Sequence, residues 1–93
     1  MIAIERVKPE IEALKAIKPN VRRYSIFRDD NHAAIDAQIE VLTDDLDWDT
    51  IDAEYGHSQH LYDAARDARI WLDGDDPELD ATGLAASWES LTQ

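Results

Sequence analysis

Asp45, Asp47 and Asp49, in the segment TDDLDWDTID (43–52), repeat at the one-three-five spacing of a calcium-binding loop. Such a loop also needs glycine at its sixth position for the sharp turn and glutamate at its twelfth as a bidentate ligand. Here those places hold Thr50 and Gly56, so the aspartates are read as a solvated junction capping the next helix. A second carboxylate cluster, Asp73, Asp75, Asp76, Glu78 and Asp80, surrounds Gly74 and Pro77 and reads as a turn. His57, His60 and Asp63 follow one another at intervals of three. On one continuous helix they would share a face and could reach a single zinc ion. No HExxH-like motif accompanies them, and Ser58 and Gln59 beside them suit a solvated helix start. Cysteine is absent, which removes thiolate ligands, cysteine nucleophiles and disulfides together. No catalytic residue, metal site or cofactor is assigned, and the chain is expected not to be an enzyme.

The remaining chemistry is electrostatic. Residues 1–28 carry Arg6, Lys8, Lys15, Lys18, Arg22, Arg23 and Arg28 against Glu5, Glu10 and Glu12, a net +4. Residues 29–93 carry eighteen acids against Arg66 and Arg69, a net −16, which together give the chain's −12. Tyr24 and Phe27 among the arginines resemble, in type, a surface that stacks single-stranded bases. The acidic remainder opposes that approach, so direct binding of nucleic acid or an anionic membrane is not expected. Basic and acidic parts are expected to pair within one chain or between two. Charge repulsion in so small a protein should also make it more stable at moderate than at low salt.

These residues need elements to hold them. Val7, Ile11, Leu14 and Ile17 form one stripe of a helix over about 7–18, with Pro9 in its first turn and Pro19 ending it. Val21 to Phe27 (VRRYSIF) reads equally as a short strand, paired with Ile2 to Ile4, or as an extended connector. Asp29, Asp30 and Asn31 can each cap a helix over about 31–46, whose Ile35, Ile39, Leu42 and Leu46 step by four, three and four. Asp49 is expected to open another helix at about Thr50. That helix either ends at Gly56, with Ser58 capping a new one, or runs on to Leu72 with Ile51, Tyr55, Tyr62, Ala65 and Leu72 on one face. After the Gly74–Pro77 turn, Leu84, Trp88 and Leu91 lie on a last element running from about Pro77 or Thr82 to Leu91.

Ninety-three residues make one domain. The fold expected is mainly α, a small bundle of three to five helices with one strand or extended segment at 21–27. Residues 1–28 form its basic segment and 29–93 its acidic helical part. No signal peptide or membrane span is legible, which places the chain in the cytoplasm by default.

The functional expectation is a small acidic protein-interaction module. Asp36, Glu40, Asp44, Asp45, Asp47, Asp49, Asp52 and Glu54 would form its face, with Trp48 as an aromatic anchor. The partner expected is a basic protein, in the sharpest version a nucleic-acid-binding protein whose phosphate groove the carboxylates occupy. Small acidic phage inhibitors act as DNA mimics of this kind, a parallel of charge and size alone. The alternatives are a homo-oligomer, with the basic part of one copy against the acidic part of the next, and a small metal-binding module on His57 and His60.

Overall fold

In the computed structural model, which describes residues 4–22 and 30–92 and only the backbone of Ile4, the chain is helical almost throughout. The helices are α1 (Ile4–Ile17), α2 (Asn31–Asp44), α3 (Trp48–Tyr55), α4 (Gln59–Asp73) and α5 (Pro77–Thr82). Two 3-10 segments, Lys18–Asn20 and Ala85–Leu91, complete them. The fold is therefore an all-α bundle. Among the described residues no helix is long and apolar enough to cross a membrane.

The starts of α2 to α5 each carry a side-chain cap. Asp30 caps α2, its carboxylate accepting the His32 N–H at 2.8 Å, and Ser58 caps α4 through Leu61 N–H. The cap of α3 is Asp47, which accepts the Thr50 N–H at 2.8 Å, not the expected Asp49. Asp49 lies inside the first turn, where a carboxylate favours the helix dipole. Helix α1 starts three residues earlier than its stripe implies, which leaves Pro9 inside the helix. The loss of one backbone hydrogen bond there is offset by what the added turn anchors. In that turn Arg6 donates to the Trp71 carbonyl at 2.7 Å and to the Asp80 carboxylate.

The break between α3 and α4 resolves the two alternatives for residues 50–72. Helix α3 ends at Gly56, Ser58 takes an extended conformation (φ −136°), and α4 begins afresh. The last element, expected from about Pro77 or Thr82 to Leu91, is preceded by a separate short helix, α5, and is itself the 3-10 segment Ala85–Leu91. Gly83 at φ +86° stops α5, and Glu10 accepts the Ala85 N–H at 2.9 Å at the start of the 3-10 segment. The strand or extended connector expected at 21–27 lies largely outside the described residues. Its first residue, Val21, is buried and forms one antiparallel bridge with Thr92, while Arg22 N–H donates to the Leu91 carbonyl at 3.1 Å.

The core runs between α2 and α4. Ala34, Ile35, Ala37, Val41 and Leu42 of α2 meet Ala64, Ala65, Ala68 and Trp71 of α4, with Leu14, Ile51, Leu84 and Trp88 closing the sides. The small residues of α4 let the two backbones approach closely. One polar side chain is sealed in at the centre. Gln38, 1% exposed, donates to the Ala64 carbonyl at 3.0 Å and accepts the Trp88 indole N–H at 2.9 Å. It thereby ties α2, α4 and the C-terminal 3-10 segment at one point.

Candidate functional site

The acidic residues singled out in the sequence lie on α2, α3 and the turn between them, and the fold divides them by role. Asp36 receives Lys18 Nζ at 2.7 Å, pinning α2 to the end of α1. Asp45 closes α2 in the left-handed conformation (φ 51°), one that aspartate tolerates better than most residues. Its carboxylate accepts from Arg69 Nη1 at 2.7 Å; the same nitrogen donates to the Leu46 carbonyl at 2.9 Å, and Nη2 to Asp73 at 2.8 Å. Burial works against the charge on Arg69, but its bonds to Asp45 and Asp73 outweigh this and hold the guanidinium more firmly protonated. Asp47 is the α3 cap, and the Thr50 N–H depresses its carboxyl below the ordinary value. Asp36, Asp45 and Asp47 thus have work inside the fold.

The rest form a different group. Glu40 accepts the Tyr55 hydroxyl across the α2–α3 contact. Glu54 lies close enough to Glu40 to share a hydrogen bond, and this bond, partial desolvation and the charges of Glu40 and Asp44 push its carboxyl above the ordinary range. Burial, then the hydrogen bond to Glu40 and the surrounding carboxylates, likewise push the Tyr55 phenol well up. Asp44, Asp49 and Asp52 are exposed. No hydrogen bond or ion pair links Asp44, Asp49, Asp52 or Glu54 to a cation among the described residues. Trp48, at the first position of α3, is 39% exposed between Asp47 and Asp49; it is the one large apolar side chain so exposed among the described residues. Trp71 and Trp88 are core residues, 3% and 7% exposed.

No family model, curated protein or solved structure matches this chain.

The histidines do not assemble as a continuous helix would have placed them. The break after Gly56 leaves His57 exposed in the connection, while His60 is on α4 and half-buried. His60 Nε2–H donates to Asn31 Oδ1 at 2.9 Å, and the Asn31 amide donates to the Arg22 carbonyl at 2.9 Å. The His60 ring also stands edge-on to Trp88, with centroids 6.3 Å apart. His60 is thus a bridge between α4, α2 and the segment after α1. Among the described residues no three His, Asp or Glu side chains converge as a metal site.

Two participants at the acidic face are not legible as such in the sequence. Tyr55 falls on an apolar face of its helix, with nothing local to show that its hydroxyl meets Glu40. Arg69 does carry a signal, being one of only two cations in residues 29–93. Of the basic stretch Lys15, Lys18, Arg22, Arg23 and Arg28, the last two lie outside the described residues with Tyr24 and Phe27.

Proposed function

We propose that this chain is a non-catalytic interaction module that presents the carboxylates of α2 and α3 to a basic protein. The observation that carries this reading is the crowding of Glu40, Asp44 and Glu54, which raises the Glu54 carboxyl with no cation among the described residues to relieve it. Folded proteins spread like charges apart unless something else holds them together. A lysine or arginine from a partner would remove the repulsion on contact. Exposed Asp49 and Asp52 extend the field along α3 and would steer association more than add affinity. Trp48 supplies the apolar anchor that such an interface needs.

In its sharper form the partner is a nucleic-acid-binding protein. Duplex DNA presents one charge per ~1.7 Å of axis, and carboxylates on neighbouring helices compete for the same groove. The test is affinity capture on the tagged chain, with elution by stepped salt. A basic partner should leave at moderate salt and be displaced by added duplex DNA. Capture should fail when Asp44, Asp49, Asp52 and Glu54 become Asn, Asn, Asn and Gln, and persist when only Asp36 becomes Asn. Capture indifferent to salt and to the fourfold substitution would overturn the reading.

A further inference from the structure

The acidic face leaves one surface unexplained. Between α1 and the end of α2 lies an open groove of about 410 Å³. Val7, Ile11 and Leu42 form its apolar floor, and Lys8, Lys15 and Glu12 stand along its rim. Lys15 has only a loose 4.0 Å contact with Glu12. Lys8 is exposed and has no ion pair among the described residues. The groove is thus an apolar slot edged by two lysines and one glutamate on a protein of net charge −12. Its complement is on the same chain, where Trp48 projects from the start of α3 with Asp47 and Asp49 beside it.

We propose that the groove receives Trp48 of a second copy of this chain, with Lys8 and Lys15 facing the Asp47 and Asp49 carboxylates of that copy. An indole is a flat apolar group of the kind that fills interface pockets, and its flanking carboxylates are opposite in charge to the rim lysines. The groove and the tryptophan are different surfaces, so each copy offers both halves of the contact. Two copies can close it reciprocally about a two-fold axis, and further copies can extend it head to tail.

Repulsion between two acidic proteins sets the conditions under which the contact forms. Screening acts over about 8 Å at 0.15 M salt. That distance damps repulsion between remote acidic faces while leaving touching Lys–Asp pairs largely intact. Association should therefore pass through a maximum near physiological salt and weaken on either side. A contact built on one indole and a few ion pairs is small, and interfaces of that class are weak and transient.

This proposal leaves out the crowded Glu40, Asp44 and Glu54 that carry the basic-partner reading, and it assigns Trp48 and Asp49, which that reading also uses, to a second copy of the chain. The test is sedimentation equilibrium of the full chain from about 10 μM to about 1 mM. The average mass should climb from 10.6 kDa toward twice that value or beyond. Trp48→Ala and the double variant Lys8→Glu/Lys15→Glu should each remain monomeric, with unchanged helical circular dichroism. Mixed in equal amounts they should associate again, because one retains the groove and the other the tryptophan. That complementation also guards against a variant that merely fails to fold. A wild-type chain monomeric throughout, a Trp48→Ala chain that associates like wild type, or a mixture no heavier than its parts would each overturn the proposal. Recovery of an acidic, aromatic segment of another protein in the groove of a monomeric chain would overturn it too.

Discussion

The guanidinium of Arg6 lies over the Trp71 ring, its central carbon 3.7 Å from the ring centroid. The same group donates to the Trp71 carbonyl and the Asp80 carboxylate. One side chain near the start of α1 therefore closes the end of α4 and holds α5 against it. Stacking on an indole uses the planar, weakly hydrated guanidinium in a way that an ammonium cannot repeat.

Arg6→Ala is expected to lower stability by about 1–2 kcal/mol, the sum of a partly exposed cation–π contact and a charge-assisted hydrogen bond. Arg6→Lys should recover less than half of the loss. Urea unfolding of the wild-type chain and the two variants measures both. An Arg6→Lys variant as stable as the wild type would show that charge, and not stacking, holds the contact.

Stability should rise as pH is lowered from neutrality toward the ordinary carboxylate range. The Glu54 carboxyl is raised above its ordinary 4.5 by its hydrogen bond with Glu40, by desolvation and by the charges of Glu40 and Asp44, so the folded state takes up a proton first. Partial burial, opposed by the Arg66 charge but joined by those of Asp63 and Asp76, raises the Asp67 carboxyl in the same direction. A group raised in this way destabilises the fold above its folded pKa, and acidification through that value removes the cost. The opposite holds for Asp47, depressed below 3.8 by the Thr50 N–H, whose cap is lost at lower pH still. Melting at fixed ionic strength should show a maximum on the acid side of neutrality. Glu54→Gln should raise the melting temperature at pH 7 and flatten the profile above the maximum. A profile unchanged by that substitution would remove Glu54 as its source.

Gly56→Ala should destabilise the protein. Alanine is ordinarily the better helix former, and Gly56 has ordinary helical dihedrals (φ −64°). A Cβ built there, however, would stand 2.4 Å from the Asp52 carbonyl oxygen, a backbone atom that cannot turn aside. The local shift this forces is expected to cost about 1–2 kcal/mol, in the range of overpacking elsewhere. Thermal unfolding decides the sign, and a more stable variant would mean that the α3 end relaxes freely.

The indole N–H of Trp88 has Gln38 as its partner in the interior. Gln38→Leu removes the acceptor and should cost about 1–3 kcal/mol, the penalty for a buried donor left unmet. Adding Trp88→Phe should recover part of that loss by removing the donor, despite the smaller ring. A double-mutant cycle measures this coupling, and strict additivity would count against it.

The bundle was legible where one helix carries its own instructions. Ile35, Ile39 and Leu42 follow a helical stripe with Asp30 as the cap directly ahead of it, while Leu46, expected on the same stripe, lies past the helix end at Asp44. Ser58 was legible as a cap, yet Gly56 left the break undecided because its role is steric crowding against Asp52 and not a special backbone angle. The split at Gly83 was hidden for a different reason. Glu10, which accepts from Ala85 and would crowd a Cβ at Gly83, lies on α1 at the far end of the chain. The acidic face was legible as a cluster but not in its division. Lys18 on Asp36 and Arg69 on Asp45 are tertiary pairings with no local pattern, and they separate structural carboxylates from unpartnered ones.

Ala64, Ala65 and Ala68 give α4 a nearly smooth side, and α2 lies along it. Methyl groups at such spacing offer α2 little to distinguish one axial offset from another a turn away. Gln38 breaks that degeneracy, because its amide finds the Ala64 carbonyl and the Trp88 indole together only at one offset. Gln38 thereby indexes α2 against α4 in the core, as a detent fixes the position of a sliding bar, with the His60–Asn31 hydrogen bond as a second stop between the same two helices.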